Sequence, residues 1–531
     1  MSFLPRRGRC SLSRILSRIL SLCVIVAVSW ITVSFFTVPF TAVPSNAVSH
    51  NTAAAAELNA EDLFDSTRVI DIRLELAEAD WDQLRRQRRD AGAFFSGGAI
   101  DNPYTNFRAT LWVDGVKIES VAVRKKGLFG SSDERRPSLK IKFDEYIDQK
   151  PVAGVDRLTL NNNKQDTTQV SQFLTYKVFR DAGVHAPRSS FAHVTVNEQK
   201  LGVYTHVESV RKPFLMRSFG NKTGALYEGT LTDFYPKTVE KIEVKTNDPE
   251  GRRQVPARLA KLLAAEGPLS LEDVEEIVDV ENFMRFWALE GMVKFWDGYA
   301  SNQNNYYFYV NPENDRAYFI PWGADASFSR GGGPFGRGGG GSGTAIYAQS
   351  MLTNRLYGVD GISDRYRKTM LSLLDQVWIE KDLLAEIDRV EELLEPHLSA
   401  GQQGTSRAMD ELREFVRTRR EVLDEEFESW PARVPSEPRK PMYAVPIGQM
   451  KGTFQATWTD RAGDNEAISN VENLKIELDG ASLNVVNDFR IAVHLAPLAG
   501  RSRRGRGFGG GAPGPPPVSI TLVGRDKRGE Q

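Results

Sequence analysis

Apolar positions along the chain change period several times, and each change predicts a change of element. In "RVIDIRLELAEADWDQLRRQRRD" alternation gives way to helical spacing. A strand leading into an amphipathic helix is expected there, with Trp81 and Leu84 on its apolar side. From about residue 107 to 143 alternation takes over. "FRATLWVDGVKIESVAVRKKG" reads as two strands joined at Asp114-Gly115, a type I′ turn signal, and "SLKIKFDEY" supplies a third. A helix over "DTTQVSQFLTYKVFRDAG" should stop at Gly183, since glycine is the natural residue just past a helix end. "SSFAHVTVNEQKLGVYTHVES" then reads as a hairpin turning near residues 197 to 200, with His193 and His206 able to face each other across it.

Helical spacing dominates at roughly 253–266, 270–279 and 281–295, and again at about 362–376, 379–397 and 404–428. Prolines in "PARVPSEPRKP" mark a boundary near residue 435. Beyond it come short alternating segments ("GTFQATW", "NLKIELDG", "FRIAVHLAP", "VSITLVG"), interrupted by "RSRRGRGFGGGAPGPPP". The pattern therefore predicts an α+β body over residues 51–435, with hairpin-rich sheets and a helical half, and a small β-domain over 436–531. No internal repeat is visible.

The first 50 residues form a third region. "MSFLPRRGRCSLSRILSR" carries five arginines and no acid, and residues 19–43 carry no charge. A basic stretch followed by an apolar run is the signature of an export signal, either cleaved near Ala47 or retained as a membrane anchor through residues 19–43. Cys10 and Cys23, the only cysteines, both lie in this region, so the exported body is expected to hold together by packing without disulfides. A net charge of −1 makes the whole molecule no electrostatic binder of nucleic acid or membrane.

The candidate chemistry concentrates in "WDGYASNQNNYYFYVNPENDRAYFIPWGADASF", residues 296–328. Asp297 precedes Asn302 by five residues, the spacing of the catalytic aspartate and metal-binding asparagine in protein kinases. A hairpin follows, and Asp325 comes directly after it. Such a hairpin returns both loops to one end, so Asp297, Asn302 or Asn305, and Asp325 are expected to converge on one metal ion. Simple side-chain turns at the hairpin ends are the competing reading. "RKKGLFGSSDERRPSLKIKF" offers cover and charge for phosphates: Gly127 and Gly130 in a loop, Lys140 and Lys142 on one face of the next strand, and Arg124 before the loop. Glu208 is a candidate to hold the lysine in an ion pair. A solvated hairpin with surface lysines is the plainer alternative.

Together "VAVRKKG…SLKIKFDEY", "RLTLNNNKQDTTQVSQFLTYKVFRDAGVHAPRSSFAHVTVNEQKLGVYTHVESVRKPFL", "WDGYASNQNNYYFY" and "FIPWGADASF" resemble the spore coat protein H family of atypical, secretory-type protein kinases. The resemblance runs from Val121 to Phe328. It implies a divergent protein-kinase-like fold that binds ATP with Mg²⁺ or Mn²⁺. It makes Asp297 the counterpart of the catalytic aspartate and Asp325 that of the metal-binding one. One departure stands out: many members carry an aspartate directly after the Pro-Trp pair, where this chain has Gly323. The implied activity is transfer of the ATP γ-phosphoryl group to serine or threonine of a secreted or envelope protein. The implied alternative is a surface structural or adhesion protein that keeps the fold without the chemistry.

Three other features rank lower. "GRGGGGSGT" lacks the Gly-Lys-Ser/Thr ending of a phosphate-binding P-loop. "RSRRGRGFGGG" reads as a flexible loop rather than an RNA-binding segment, and two histidines without an acidic third ligand make a poor zinc site.

Overall fold

The computed structural model describes residues 58–89, 102–128, 131–246, 254–328, 345–402 and 404–441, together with the backbone of four strands between 450 and 525. Gly130, the glycine-rich insert and the apolar segment 19–43 lie outside the described residues. Among the described residues no helix is long and apolar enough to cross a membrane.

The first half is a closed barrel. Its strands are β1 (Val69–Glu75), β2 (Phe107–Val113), β3 (Val116–Lys125), β4 (Leu139–Lys142), β5 (Arg157–Asn161), β6 (Ser189–Val196) and β7 (Gln199–Val207). They run around the barrel in the order β1-β2-β3-β4-β5-β7-β6, and a parallel pairing of β1 with β6 closes it. Alternation dictates the lining: Ile70, Ile72, Leu111, Val121, Val123, Leu139, Ile141, Leu158, Leu160 and Val194 point inward and are buried. Helix α1 (Glu78–Arg86) packs Trp81 and Leu84 onto this core as its periodicity predicts. Asp114 and Gly115 both have positive φ (49° and 83°), as a type I′ turn requires.

Helix α2 (Ser171–Asp181) crosses from barrel to helical half. It starts later than its apolar pattern suggests, because Asp166 accepts from the backbone N–H and hydroxyl of Ser171 and from Thr168, and so holds the preceding residues in a turn. The hairpin β6–β7 turns at Asn197 and Glu198, both at positive φ. Its register separates the two histidines: His193 pairs with Val203 and His206 with Ser190. His206 is buried against Phe64, so the two do not face each other.

The second half has a sheet in the order β11-β10-β8-β9, formed by β8 (Ala225–Gly229), β9 (Glu243–Val244), β10 (Tyr306–Asn311) and β11 (Arg316–Pro321). Every residue of β10 is buried. Tyr306, Phe308 and Val310 enter the main helical core, and Tyr307 and Tyr309 enter a smaller cluster beneath α3 (Lys212–Phe219). Burial on both faces explains why "YYFYVN" is almost continuously apolar and aromatic. Around this sheet lie α4 (Gln254–Ala264), α5 (Val280–Met292), α6 (Met351–Tyr357), α7 (Ile362–Gln376), α8 (Glu380–Leu394) and α9 (Thr405–Glu428); all but α6 fall close to expected spans, while of the expected helix 270–279 only Leu271–Glu275 is helical. Beyond residue 441, strands 450–461 and 465–478 form one antiparallel pair, and 490–497 and 518–525 another.

Candidate active site

The hairpin β10–β11 brings two loops to one end. Tyr306 pairs with Pro321, and the N–H of Trp322 donates to the carbonyl of Asn305 (3.0 Å), so residues 297–305 and 322–325 are neighbours. The first loop is built around buried carboxylates. Glu290, fully buried in α5, accepts from the N–H groups of Tyr299 (2.8 Å) and Ala300 (2.7 Å) and so caps the single turn 299–302. Gly298 is required because a Cβ there would lie 2.4 Å from the Glu290 Oε1. Asp233, also buried, accepts from the Tyr299 hydroxyl (3.0 Å), the Gln303 side chain (3.0 Å) and the Met351 N–H (2.6 Å).

This scaffold presents Asp297 half-buried. The Asn302 and Asn304 carboxamides donate to its Oδ1 (2.5 and 3.1 Å), and that of Asn305 donates to its Oδ2 (2.9 Å) and its backbone carbonyl (3.0 Å). Burial pushes its pKa up to about 6 against these donors, and the nearby Asp325 adds to the rise. Asn305 itself sits at φ +53°, a conformation asparagine tolerates, with its carboxamide next to Gly323. Gly323 is also left-handed, at φ +55°, and a Cβ there would approach Asn305 Oδ1 to 2.7 Å.

Asp325 lies in a short 3₁₀ turn after β11. Its pKa is raised by burial, with Lys126 opposing the rise. Among the described residues the side chain that donates to it is Gln165, at 3.4 Å. Lys126, just past β3, donates to Asn161 and is held down to about 8 by burial. Asn161 in turn donates to Gln172 (2.5 Å) and Gln172 to the Tyr176 hydroxyl (3.1 Å), so a polar chain ties the barrel to α2 beside Asp325. Asp166, at the start of that helix, is pushed up to about 6, by burial first.

The other expected residues divide sharply. Lys140 stands opposite Arg124 on the neighbouring strand, in a recess that also holds Arg157 and Arg211, and no side chain or carbonyl among the described residues accepts a hydrogen bond from it. Burial, and then those arginines, drop its pKa to about 7. Glu228 is the acid acting on it, and Glu228 is already paired to Lys245 at 2.5 Å. Lys142, two residues on, is half-buried and pairs with Glu145 (2.9 Å) and Asp144 (3.4 Å). Gly127 has φ +109°, and its carbonyl accepts from Arg89 (3.2 Å) and Tyr104 (3.1 Å). Glu208 does not meet a lysine. Its carboxylate engages Arg188 (3.1 Å) and Arg217 (2.7 Å); burial raises its pKa, but the two arginines outweigh this and hold it low. Asn302 turns its Oδ1 to the Arg439 guanidinium (2.5 Å), away from Asp325.

Lys126, Asp233 and Glu290 are contributors the motif reading missed. An acid inside "FWALEGM", an otherwise apolar helix, was the one available signal for Glu290.

Two acidic loops thus meet at one end of the hairpin, and Lys126 of the barrel acts on Asp325. The family model described as "CotH kinase protein" matches residues 123–423, more than half of the chain, and the chain belongs to that family. It is 24% identical to inner spore coat protein H of Bacillus subtilis over 309 residues, covering 55% of this chain and 83% of that protein. It is also 24% identical to invasin CotH3 of Rhizopus delemar over 188 residues, covering 32% of this chain and only 31% of the invasin. Among solved structures, the Helicobacter pylori proinflammatory kinase CtkA is similar at 9% identity and a TM-score of 0.26, covering 54% of this chain and 90% of that one. These values are too low to carry an argument, which rests on the family and the site.

Proposed function

We propose that this chain is an exported atypical kinase that transfers the γ-phosphoryl group of ATP to serine or threonine hydroxyls of secreted or envelope proteins. The observation that carries the proposal is Lys140: a recessed lysine with no acceptor among the described residues, opposite Arg124 and grouped with Arg157 and Arg211, on the same barrel as Lys126, which acts on Asp325. An unpaired cation among cations is costly to hold unless an anion comes to it. The triphosphate of ATP has the charge to do so, with Lys140 and Arg124 bound along it and Lys126 nearer Asp325.

The donor set fits a hard divalent cation. Mg²⁺ typically takes one or two carboxylates, keeps several waters and shares phosphate oxygens. Asp325 and the Asn305 carboxamide oxygen beside Gly323 would hold it, whereas the Asn302 oxygen is committed to Arg439. The bound ion would neutralise charge on the transferring phosphoryl group. Asp297 keeps a free lone pair on Oδ2, because two of its three amide donors share Oδ1. That oxygen would orient the acceptor hydroxyl and take its proton, and a pKa near 6 suits a base working near neutrality. Export is supported by the basic-apolar N-terminus and by relatives described as spore coat proteins and invasins.

The second reading, a surface structural or adhesion protein without catalysis, is favoured by Gly323, which leaves Asp325 the one acid in its loop, and by the Asn302 oxygen, which is engaged by Arg439. Incubation with γ-labelled ATP, Mn²⁺ and a serine-rich acceptor such as casein, followed by mass spectrometry, separates the two. Phosphorylated serine or threonine with the wild type and none with Asp325→Ala supports the kinase. A folded wild type that labels neither itself nor the acceptor, with Mg²⁺ or Mn²⁺, overturns it.

A further inference from the structure

The segment after α9 does not leave the molecule at once. Pro435 accepts from the Asn354 side chain (2.8 Å), the Arg439 N–H donates to the carbonyl of Gln349 (2.8 Å), and the Arg439 carbonyl accepts from Tyr235 and from Gln303 (3.0 Å). These contacts lay a proline-rich strap across the back of the Asp297 loop. It lies beyond the residues matched by the family model, which end at 423.

Arg439 is the centre of the strap. Its Nη1 donates to Asn302 Oδ1 (2.5 Å), its Nη2 to the Asn302 carbonyl (2.7 Å), and its Nη2 and Nε to Gln303 Oε1 (3.3 and 3.4 Å). A guanidinium reads two acceptors at once because its donors form a rigid fork. With the Asn302 oxygen captured, the amide nitrogen can point only one way, and it points at Asp297 Oδ1. Gln303 is fixed in the same manner, its oxygen on Arg439 and its nitrogen on Asp233. Both orientations of the loop amides thus depend on one side chain from outside the loop.

We propose that Arg439 is a positioning residue: acting through Asn302, it fixes the orientation of the Asp297 carboxylate, so that the strap 435–441 belongs to the catalytic apparatus. The proposal rests on the kinase reading for its effect on rate, but not for its effect on the loop. Without Arg439 the Asn302 amide is free to turn over. Asp297 then loses the donor that fixes its Oδ1 and moves from the position from which it orients the hydroxyl.

The test compares wild type, Arg439→Ala and Arg439→Lys in the full chain by ATP-dependent transfer and by amide hydrogen exchange. Arg439→Ala should lower kcat on the order of 10–100-fold, the scale of a small misplacement of a reacting group. ATP affinity should stay within about twofold, because the strap does not touch the Lys140 recess. Arg439→Lys, which keeps the charge but loses the fork, should recover only part of the rate. Exchange at residues 297–305 should quicken while the barrel is unchanged. A folded Arg439→Ala protein with wild-type kcat and unchanged exchange at 297–305 overturns the proposal. So does a variant that loses ATP binding, rate and thermal stability together, which would mark a merely structural role. A wild type that turns over no ATP would sink the kinase reading alone, and the exchange result would still decide whether Arg439 holds the loop.

Discussion

The two walls of the candidate site are finished to different degrees. On the loop wall, Asp297 is met by three carboxamides, Glu290 by two backbone amides and Asp233 by a hydroxyl, an amide side chain and a backbone N–H. On the barrel wall, Lys140 has three arginines and the already paired Glu228 for neighbours and, among the described residues, no acceptor. The first region is organised in advance and needs nothing further to hold its shape. The second stores unfavourable electrostatics that an arriving polyanion would relieve. A site built this way spends little on reorganisation when the ligand binds, which is how electrostatic preorganisation supplies rate.

The sharpest way to break the comparison is at Asp325, where a carboxylate has one long side-chain contact and is available to a metal. Asp325→Ala should reduce phosphoryl transfer by roughly 10³-fold or more, measured with label from ATP, while the thermal midpoint stays near wild type. Next in size is pH. Asp297 must be ionised to accept a proton and its pKa is near 6, so kcat should fall about tenfold per pH unit below that value. Asn305→Ala removes a donor to the charged form and should move that limb upward, which a pH-rate profile would detect.

Glu290 tests the loop wall by stability. Its folded pKa is raised from 4.5 to about 8, by burial first. Its contribution is therefore fully present below about pH 4.5 and is lost as pH rises through 8. Glu290→Gln places an N–H against a backbone N–H and should cost about 1–3 kcal/mol at pH 5. The gap should narrow toward pH 9 in denaturant titrations, because only the wild type loses stability there.

Lys140 should show the opposite sense. Its pKa falls from 10.5 to about 7 on folding, so between those values the unfolded chain binds more protons and stability rises with pH. Lys140→Met should accordingly raise the thermal midpoint of the ligand-free protein at pH 6, with the gain fading toward pH 10. The smallest effect belongs to Lys142. Its surface pairs with Glu145 and Asp144 are worth about 0–1 kcal/mol, and Lys142→Met should leave ATP affinity within about twofold.

Much of this was readable in the sequence, for reasons that differ by element. The hairpins at Asp114-Gly115 and Asn197-Glu198 and the helices after residue 360 follow from local periodicity and turn chemistry, which tertiary contacts did not override. The convergence of Asp297 with Asp325 was legible because one hairpin joins them. The choice between Lys140 and Lys142 was not, since alternation places both on the same strand face and only the tertiary surroundings give Lys142 its acidic partners and Lys140 none. Glu208 was misassigned because its partners Arg188 and Arg217 come from a neighbouring strand's start and from α3, an element with no clear periodic signal. Arg439 was hidden in a proline-rich stretch that reads as a boundary, yet the chain there still packs on the loop.

The central claim is that the Lys140 recess receives the phosphates of ATP, and titration calorimetry of ATP with Mn²⁺ into wild type, Lys140→Met and Lys142→Met tests it most directly. A charge-assisted contact of about 1.5–3 kcal/mol predicts an affinity loss of roughly 10–150-fold for Lys140→Met, with Lys142→Met close to wild type. Equal affinity in all three folded proteins, or no binding by any of them, would contradict the account.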